Sequence, residues 1–178
     1  MEYNLLATTE PIYTSQACSE LWINLRAIGD ESPKTNRSRI KGLILGRTEM
    51  DPVDAIQAMR KTMETDPAKL KLLYRILPIQ KWVITEIPTI VDAVKEMISV
   101  IREDESFRIT LEKRRSQLRS LEIITPVAEV IDRSVDLENP DWVILIEVMG
   151  KETGVSVIKP NDMLNIQKER YRLSVKGK

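Results

Sequence analysis

The run Trp142-Val143-Ile144-Leu145-Ile146 constrains this chain more than any other segment. Successive strand residues point to opposite faces, and here both sets are apolar, so the strand must be covered on both sides. A central, fully covered strand implies a layered fold with helices packed on a sheet. Val155-Ser-Val-Ile, reached through a turn over Met149 to Gly154, reads as its neighbour.

Upstream, short apolar runs alternate with helical stripes. Tyr3 to Thr9 reads as a strand closed by Pro11. Thr14 and Ser15 offer a helix cap, after which Cys18, Leu21, Trp22, Leu25 and Ile28 recur at three- and four-residue spacing as a packed stripe. Gly29 ends it, since glycine readily takes the left-handed cap conformation. Pro33 to Arg37 reads as a linker, and Ile40 to Arg47 as strand. Asp51-Pro52 is a strong helix start, with Ile56, Met59 and Met63 facing inward. Lys71 to Ile87 is extended and broken at Pro78, followed by a helical stripe through Ile90, Val94, Met97, Ile98 and Ile101. Residues 2–102 therefore read β, α, β, α, β, α, an α+β sandwich with helices over one face of a small sheet.

The second half uses the same grammar. Ser106 to Glu112 alternates with period two, placing Phe107, Ile109 and Leu111 on one face and Arg108, Thr110 and Glu112 on the other. Ile123, Ile124, Val127, Ala128 and Ile131 form a helical stripe with Pro126 inside it. Either the helix begins at Thr125-Pro126, or an earlier turn from Ser120 is kinked there.

What the chain lacks narrows its chemistry. None of its 178 residues is His and only one is Cys, which excludes imidazole general bases, an internal disulfide and His- or thiolate-ligated metal sites. No nucleotide-binding glycine loop is present. The acids from Asp132 to Asp141 lie around a helix exit and loop, a setting that gives no support for catalysis or a metal. No cofactor is expected. No stretch reaches the roughly 18 apolar residues of a membrane helix, and Met1 to Thr9 is too short for a signal peptide. A cytoplasmic, non-enzymatic protein is the expectation.

Net charge is zero, yet its distribution is segregated. Pro33 to Thr48 carries Lys34, Arg37, Arg39, Lys41 and Arg47 with no acid. Ser106 to Ser120 carries Arg108, Lys113, Arg114, Arg115 and Arg119 against Glu112 alone. Such blocks can steer a polyanion to one face of a neutral molecule. Lys113-Arg114-Arg115 at a strand end, with Arg108 outward and Arg119 just beyond, can follow a phosphodiester backbone. With eight aromatics in the chain and Phe107 inward, the contacts would be to backbone and shape rather than to bases.

The order of residues adds a likeness. Ser106-Phe-Arg-Ile-Thr-Leu-Glu-Lys-Arg-Arg, Val127-Ala-Glu-Val-Ile-Asp, Val135-Asp-Leu-Glu-Asn-Pro-Asp with its apolar strand to Glu147-Val, and Thr153-Gly-Val-Ser-Val together resemble the THUMP domain. The upstream half, with Thr48-Glu-Met-Asp-Pro-Val-Asp-Ala-Ile and Arg75-Ile-Leu-Pro-Ile, resembles the ferredoxin-like domain that precedes it. The resemblance implies a ferredoxin-like domain over 1–104, a THUMP-like domain over 105–160 and a basic helix or tail over 161–178. It is nearest to the small stand-alone proteins that act as adaptors for tRNA cytidine acetylation. It implies a tRNA-binding role without catalysis, holding the acceptor stem and 3′ end for an RNA acetyltransferase supplied in trans. Arg108, Lys113, Arg114, Arg115 and Arg119 would engage phosphates, with Lys151 and Lys159 as weaker candidates, and the loop Asp136 to Asp141 would be a structural turn. The competing expectation is an interaction or ligand-sensing module whose basic blocks are ordinary surface.

Overall fold

Short strands and amphipathic helices alternate along the chain in a computed structural model describing Met1–Gly177. Their order is β1 (Leu5–Thr9), α1 (Thr14–Ala27), β2 (Lys34–Arg37), β3 (Leu43–Arg47), α2 (Pro52–Thr65), β4 (Leu73–Pro78), β5 (Lys81–Ile84), α3 (Ile87–Met97), β6 (Ser106–Arg114), α4 (Ser120–Glu129), β7 (Ser134–Val135), β8 (Trp142–Met149), β9 (Glu152–Ile158), β10 (Leu164–Asn165) and α5 (Ile166–Lys176). They form two compact units, one of Met1–Pro78 with the chain from Asn161 onward, the other of Ile79–Pro160. The expected boundary near residue 104 thus lies at Pro78. β5 pairs with β9 from Lys81↔Val155 to Ile84↔Glu152, and α3 buries Ile90 and Val94 in the second core, so both elements belong downstream. The expected basic helix or tail holds the helix α5 and is part of the first unit, because β10 pairs with β4 through Leu164↔Ile76.

In the first unit β1-α1-β2-β3-α2-β4 is the ferredoxin-like order, extended by β10 into an antiparallel sheet β10-β4-β1-β3-β2. Leu5, Leu21, Leu25, Ile44, Ile56, Met59, Met63 and Ile76 fill the core between that sheet and its helices. Asp51 caps α2 by accepting from the Val53 and Asp54 amides. Gly29, at φ +106°, closes α1, with its own amide on Arg26 O and the Asp30 amide on Leu25 O, the paired bonds of a Schellman ending. Gly42 permits no side chain: at φ +83° an added Cβ would lie 2.9 Å from the Thr9 carbonyl.

Three expectations change here. Lys34–Arg37 is a paired edge strand, not a linker, and its polar residues give no apolar alternation to read. Thr14 is no cap; its hydroxyl donates to Pro11 O and accepts from the Gly42 amide, tying the start of α1 to the β3 turn. Trp22 lies outside the packed stripe and is 44% exposed, whereas Ala17 and Asn24 are buried in its place.

The second unit is the sheet β5-β9-β8-β6-β7 with α3 and α4 packed on one face. β6 runs parallel to β8 over Phe107↔Trp142 to Arg114↔Met149, which requires the crossover that α4 supplies. Val143 to Val148 are all buried, as the apolar run requires. α4 starts at Ser120 and passes through Pro126, so the helix does not begin at Thr125-Pro126. Among the described residues no helix is long and apolar enough to cross a membrane.

Candidate nucleic-acid interface

Strand parity divides the basic run at the end of β6. Lys113 shares the face of Phe107, and its ammonium donates to Leu118 O at 2.6 Å, closing the loop that leads to α4. Arg114 points to the other face and meets the fully buried carboxylate of Glu147 at 2.6 Å. Arg115 follows at φ +54°, a left-handed conformation that costs a non-glycine residue about 1–2 kcal/mol, and its side chain is exposed. Arg119 is the residue before α4. Its amide donates to Glu122 at 2.6 Å, and its guanidinium stands 3.5 Å from the same carboxylate. The amide bond first, then the side-chain contact, pulls the Glu122 carboxyl below its ordinary range.

The hairpin from β8 to β9 reaches the same end of the sheet. Gly150, at φ +70°, opens its two-residue loop as primed turns require, and the Gly150 amide donates to Arg114 O at 2.8 Å. Lys151 O accepts from the Thr85 amide at 2.9 Å, which brings in the entry to α3. A cleft of about 470 Å³ results, lined by Thr85, Glu86, Arg115, Ser116, Gln117 and Lys151 among others. The N-termini of α3 and α4 both begin beside it, and each adds partial positive charge. Arg115 and Lys151 make no ion pair among the described residues, so both cations are available to an anion.

Arg108 and Lys159 lie elsewhere. Six residues of strand separate Arg108 from Arg114, about 20 Å at the rise of an extended chain. The Arg108 guanidinium donates to Leu137 O at 3.3 Å. Lys159 sits 3.9 Å above the Trp142 ring and 3.3 Å from Glu105, at the end of the sheet where β6 and β8 begin. Of the seven expected cations, Arg115 and Lys151 line the cleft; Lys113 is spent on Leu118 O behind its wall, Arg119 is paired with Glu122, Arg114 is paired inward, and two are remote.

Sequence reasoning missed Glu147 and the neutral donors Thr85, Ser116 and Gln117. The first had a signal: an acid beside an apolar run requiring cover on both faces needs a cation, and the basic strand next to it supplies one. The neutral donors carry no spacing or composition by which to single them out. The acidic loop is a structural turn, since Asp136 accepts from the Glu138 and Asn139 amides and Asp141 accepts from Ser106. Among the described residues no group of three or more His, Cys, Asp or Glu is placed to hold a metal ion.

Glu105 gives this unit an acid-sensitive contact. The Arg102 amide, the Trp142 indole N–H and the Lys159 ammonium hold its carboxyl at a pKa of about 2, against an ordinary 4.5. A folded value below the unfolded one adds stability above about pH 4.5, which is lost as pH falls toward 2. Carbon-detected NMR titration is expected to place the Glu105 midpoint near 2, and Trp142→Phe to move it upward. An unchanged midpoint in that variant would remove the indole from the account.

Residues 85–158 match the family model of the THUMP domain. The THUMP match begins at the Thr85 turn, earlier than the expected 105, and so takes in both helix N-termini and all of the cleft lining but Ile84. The fold is similar to that of PH1313 from Pyrococcus horikoshii Ot3, at 21% identity and a TM-score of 0.60, covering 88% of this chain and 55% of that one. TrmN from Thermus thermophilus follows at 19% identity and a TM-score of 0.54, over 88% and 46% of the two chains. A 4-thiouridine synthetase solved with RNA and bound ATP is similar at 16% identity and a TM-score of 0.52, over 92% and 42%. This chain spans about half the length of each, and at such identities the likeness is one of fold. No curated protein matches the sequence significantly.

Proposed function

We propose that this protein is a tRNA-binding adaptor, which holds acceptor stem and 3′ end at the cleft of the THUMP unit for a separate enzyme, an RNA cytidine acetyltransferase acting in trans. The observation that carries the reading is one cleft lined by Arg115 and Lys151, cations unpaired among the described residues, with Lys113 bonded to the lining residue Leu118 and the start of α3 at its rim. These groups fit successive phosphates, and the shortage of rings fits recognition of backbone and shape. The fold it shares with a thiouridine synthetase solved with RNA supports the same reading. The adaptor half rests on a chain with no His and one Cys, which offers no imidazole base and suits a reducing cytoplasm.

Binding of tRNA is expected to weaken steeply between 50 and 200 mM salt. Lys113→Ala/Arg115→Ala/Lys151→Ala should flatten the log–log slope by about two to three units, one for each phosphate left without its cation. Arg108→Ala/Lys159→Ala should leave it within about one unit. Equal effects of the two sets would sink the cleft as the site, and salt-independent binding would sink the phosphate contacts. For the adaptor role, a purified acetyltransferase should modify tRNA cytidine faster with the wild-type protein than with the triple variant. Modification by this chain alone would overturn it.

A further inference from the structure

The first unit carries a trough that the RNA reading leaves unused. One wall is the α1 face bearing Ser15, Cys18, Trp22 and Ile23, and the other is β2 with Thr35 and Arg37, enclosing about 600 Å³. It continues past Arg37 toward Ile12 and Lys41. Thr35 donates from its hydroxyl to Cys18 O at 3.1 Å and Arg37 to the Ser15 hydroxyl at 3.1 Å, so helix and strand are fixed to each other along the floor.

Three properties of this trough bear on its occupant. First, β2 is the outermost strand of its sheet, and among the described residues no strand pairs with its far edge. An unpaired edge is a row of backbone donors and acceptors at a fixed spacing, open to one more extended segment. Secondly, Trp22 is 44%, Ile23 58% and Ile12 74% exposed, leaving apolar surface beside that edge. Thirdly, no acid lines the trough, and Arg37, Arg39 and Lys41 make no ion pair among the described residues.

We propose that an acidic, extended peptide segment of a partner protein binds here by adding a strand to β2. Its backbone pairs with the open edge, alternate apolar side chains pack on Trp22 and Ile23, and its carboxylates face Arg37 and Lys41. Single-stranded RNA would stack on successive rings, and Trp22 is the sole ring of the lining. The strand edge therefore favours a peptide. This inference does not depend on RNA binding by the other unit.

The test starts from a display library of random ten-residue peptides selected on the full-length protein. Enriched peptides should carry at least two acids and alternating apolar residues, and fluorescence anisotropy should show tenfold or greater loss of affinity with Trp22→Ala or with Arg37→Glu/Lys41→Glu. Methylation of the peptide amides should abolish binding at every second position and spare the others, the mark of a paired strand. Cys18 is the chain's one thiol, so bound peptide should protect it from alkylation in the unaltered protein. No enrichment of acidic peptides, uniform effects of amide methylation, or an unprotected Cys18 would overturn the proposal. So would displacement of peptide by a ten-nucleotide single-stranded RNA that itself protects Cys18, which would assign the trough to RNA.

Discussion

Deleting the chain after Pro160 is expected to unfold the first unit while leaving the second intact. The deleted segment supplies β10, which pairs with the β4 edge, and the fully buried Leu164 and Ile166. Burying two such side chains is worth about 1.5–3 kcal/mol each. The deletion also takes Glu169 from Arg60, whose guanidinium is nearly buried and holds both carboxylate oxygens, at 2.8 and 3.1 Å. Loss of one partner from a buried pair costs about 3–5 kcal/mol, and a whole domain is typically stable by about 5–15 kcal/mol. Arg170 further ties α5 to the backbone of Pro67 and Leu70. Hydrogen exchange should therefore show loss of amide protection through β1, β3 and β4 in the truncated chain, with β6, β8 and β9 still protected. Persistent protection in β1 would refute this account of the first core.

The second large effect is expected from Arg114→Ala. Its partner, Glu147, lies in the central strand with no exposed side-chain surface, and Arg114 itself is only 20% exposed. Removing that cation is expected to cost about 3 kcal/mol, the lower end for a buried pair because the arginine reaches solvent. For a unit of Ile79–Pro160 that melts on its own, that is a fall in its Tm of about 12–24 °C. Glu147→Gln added to Arg114→Ala should recover at least half of the loss, because the buried charge goes with the partner. Thermal unfolding followed by circular dichroism decides it. A double variant no more stable than Arg114→Ala would place the cost in the arginine's packing instead.

That pair also shows where sequence reading stops. Alternation in β6 puts Lys113 and Arg114 at a strand end on opposite faces, but does not show that an acid 33 residues on claims one of them. Sequence alone makes Lys159 a weak phosphate contact, yet Glu105 and Trp142 hold it at the far end of the sheet. Elements with strong local chemistry are legible: the Asp51-Pro52 start of α2, the Gly29 ending of α1 and the apolar run of β8. Those made by pairing alone are not. β2 is polar and forms because β3 offers it an edge, and β10 is two residues that gain their place from β4. The boundary between units is misplaced for the same reason, since β5 is assigned by its partner β9, some seventy residues later.

The ferredoxin-like sheet takes its outermost strand β10 from the far side of an 82-residue excursion, Ile79–Pro160. Translation runs in one direction, so a nascent chain can finish the inserted unit while the sheet that preceded it still lacks an edge. Chaperone demand on the ribosome should accordingly be greatest during synthesis of residues 79–160, when β4 can pair with β1 but its other edge is still open.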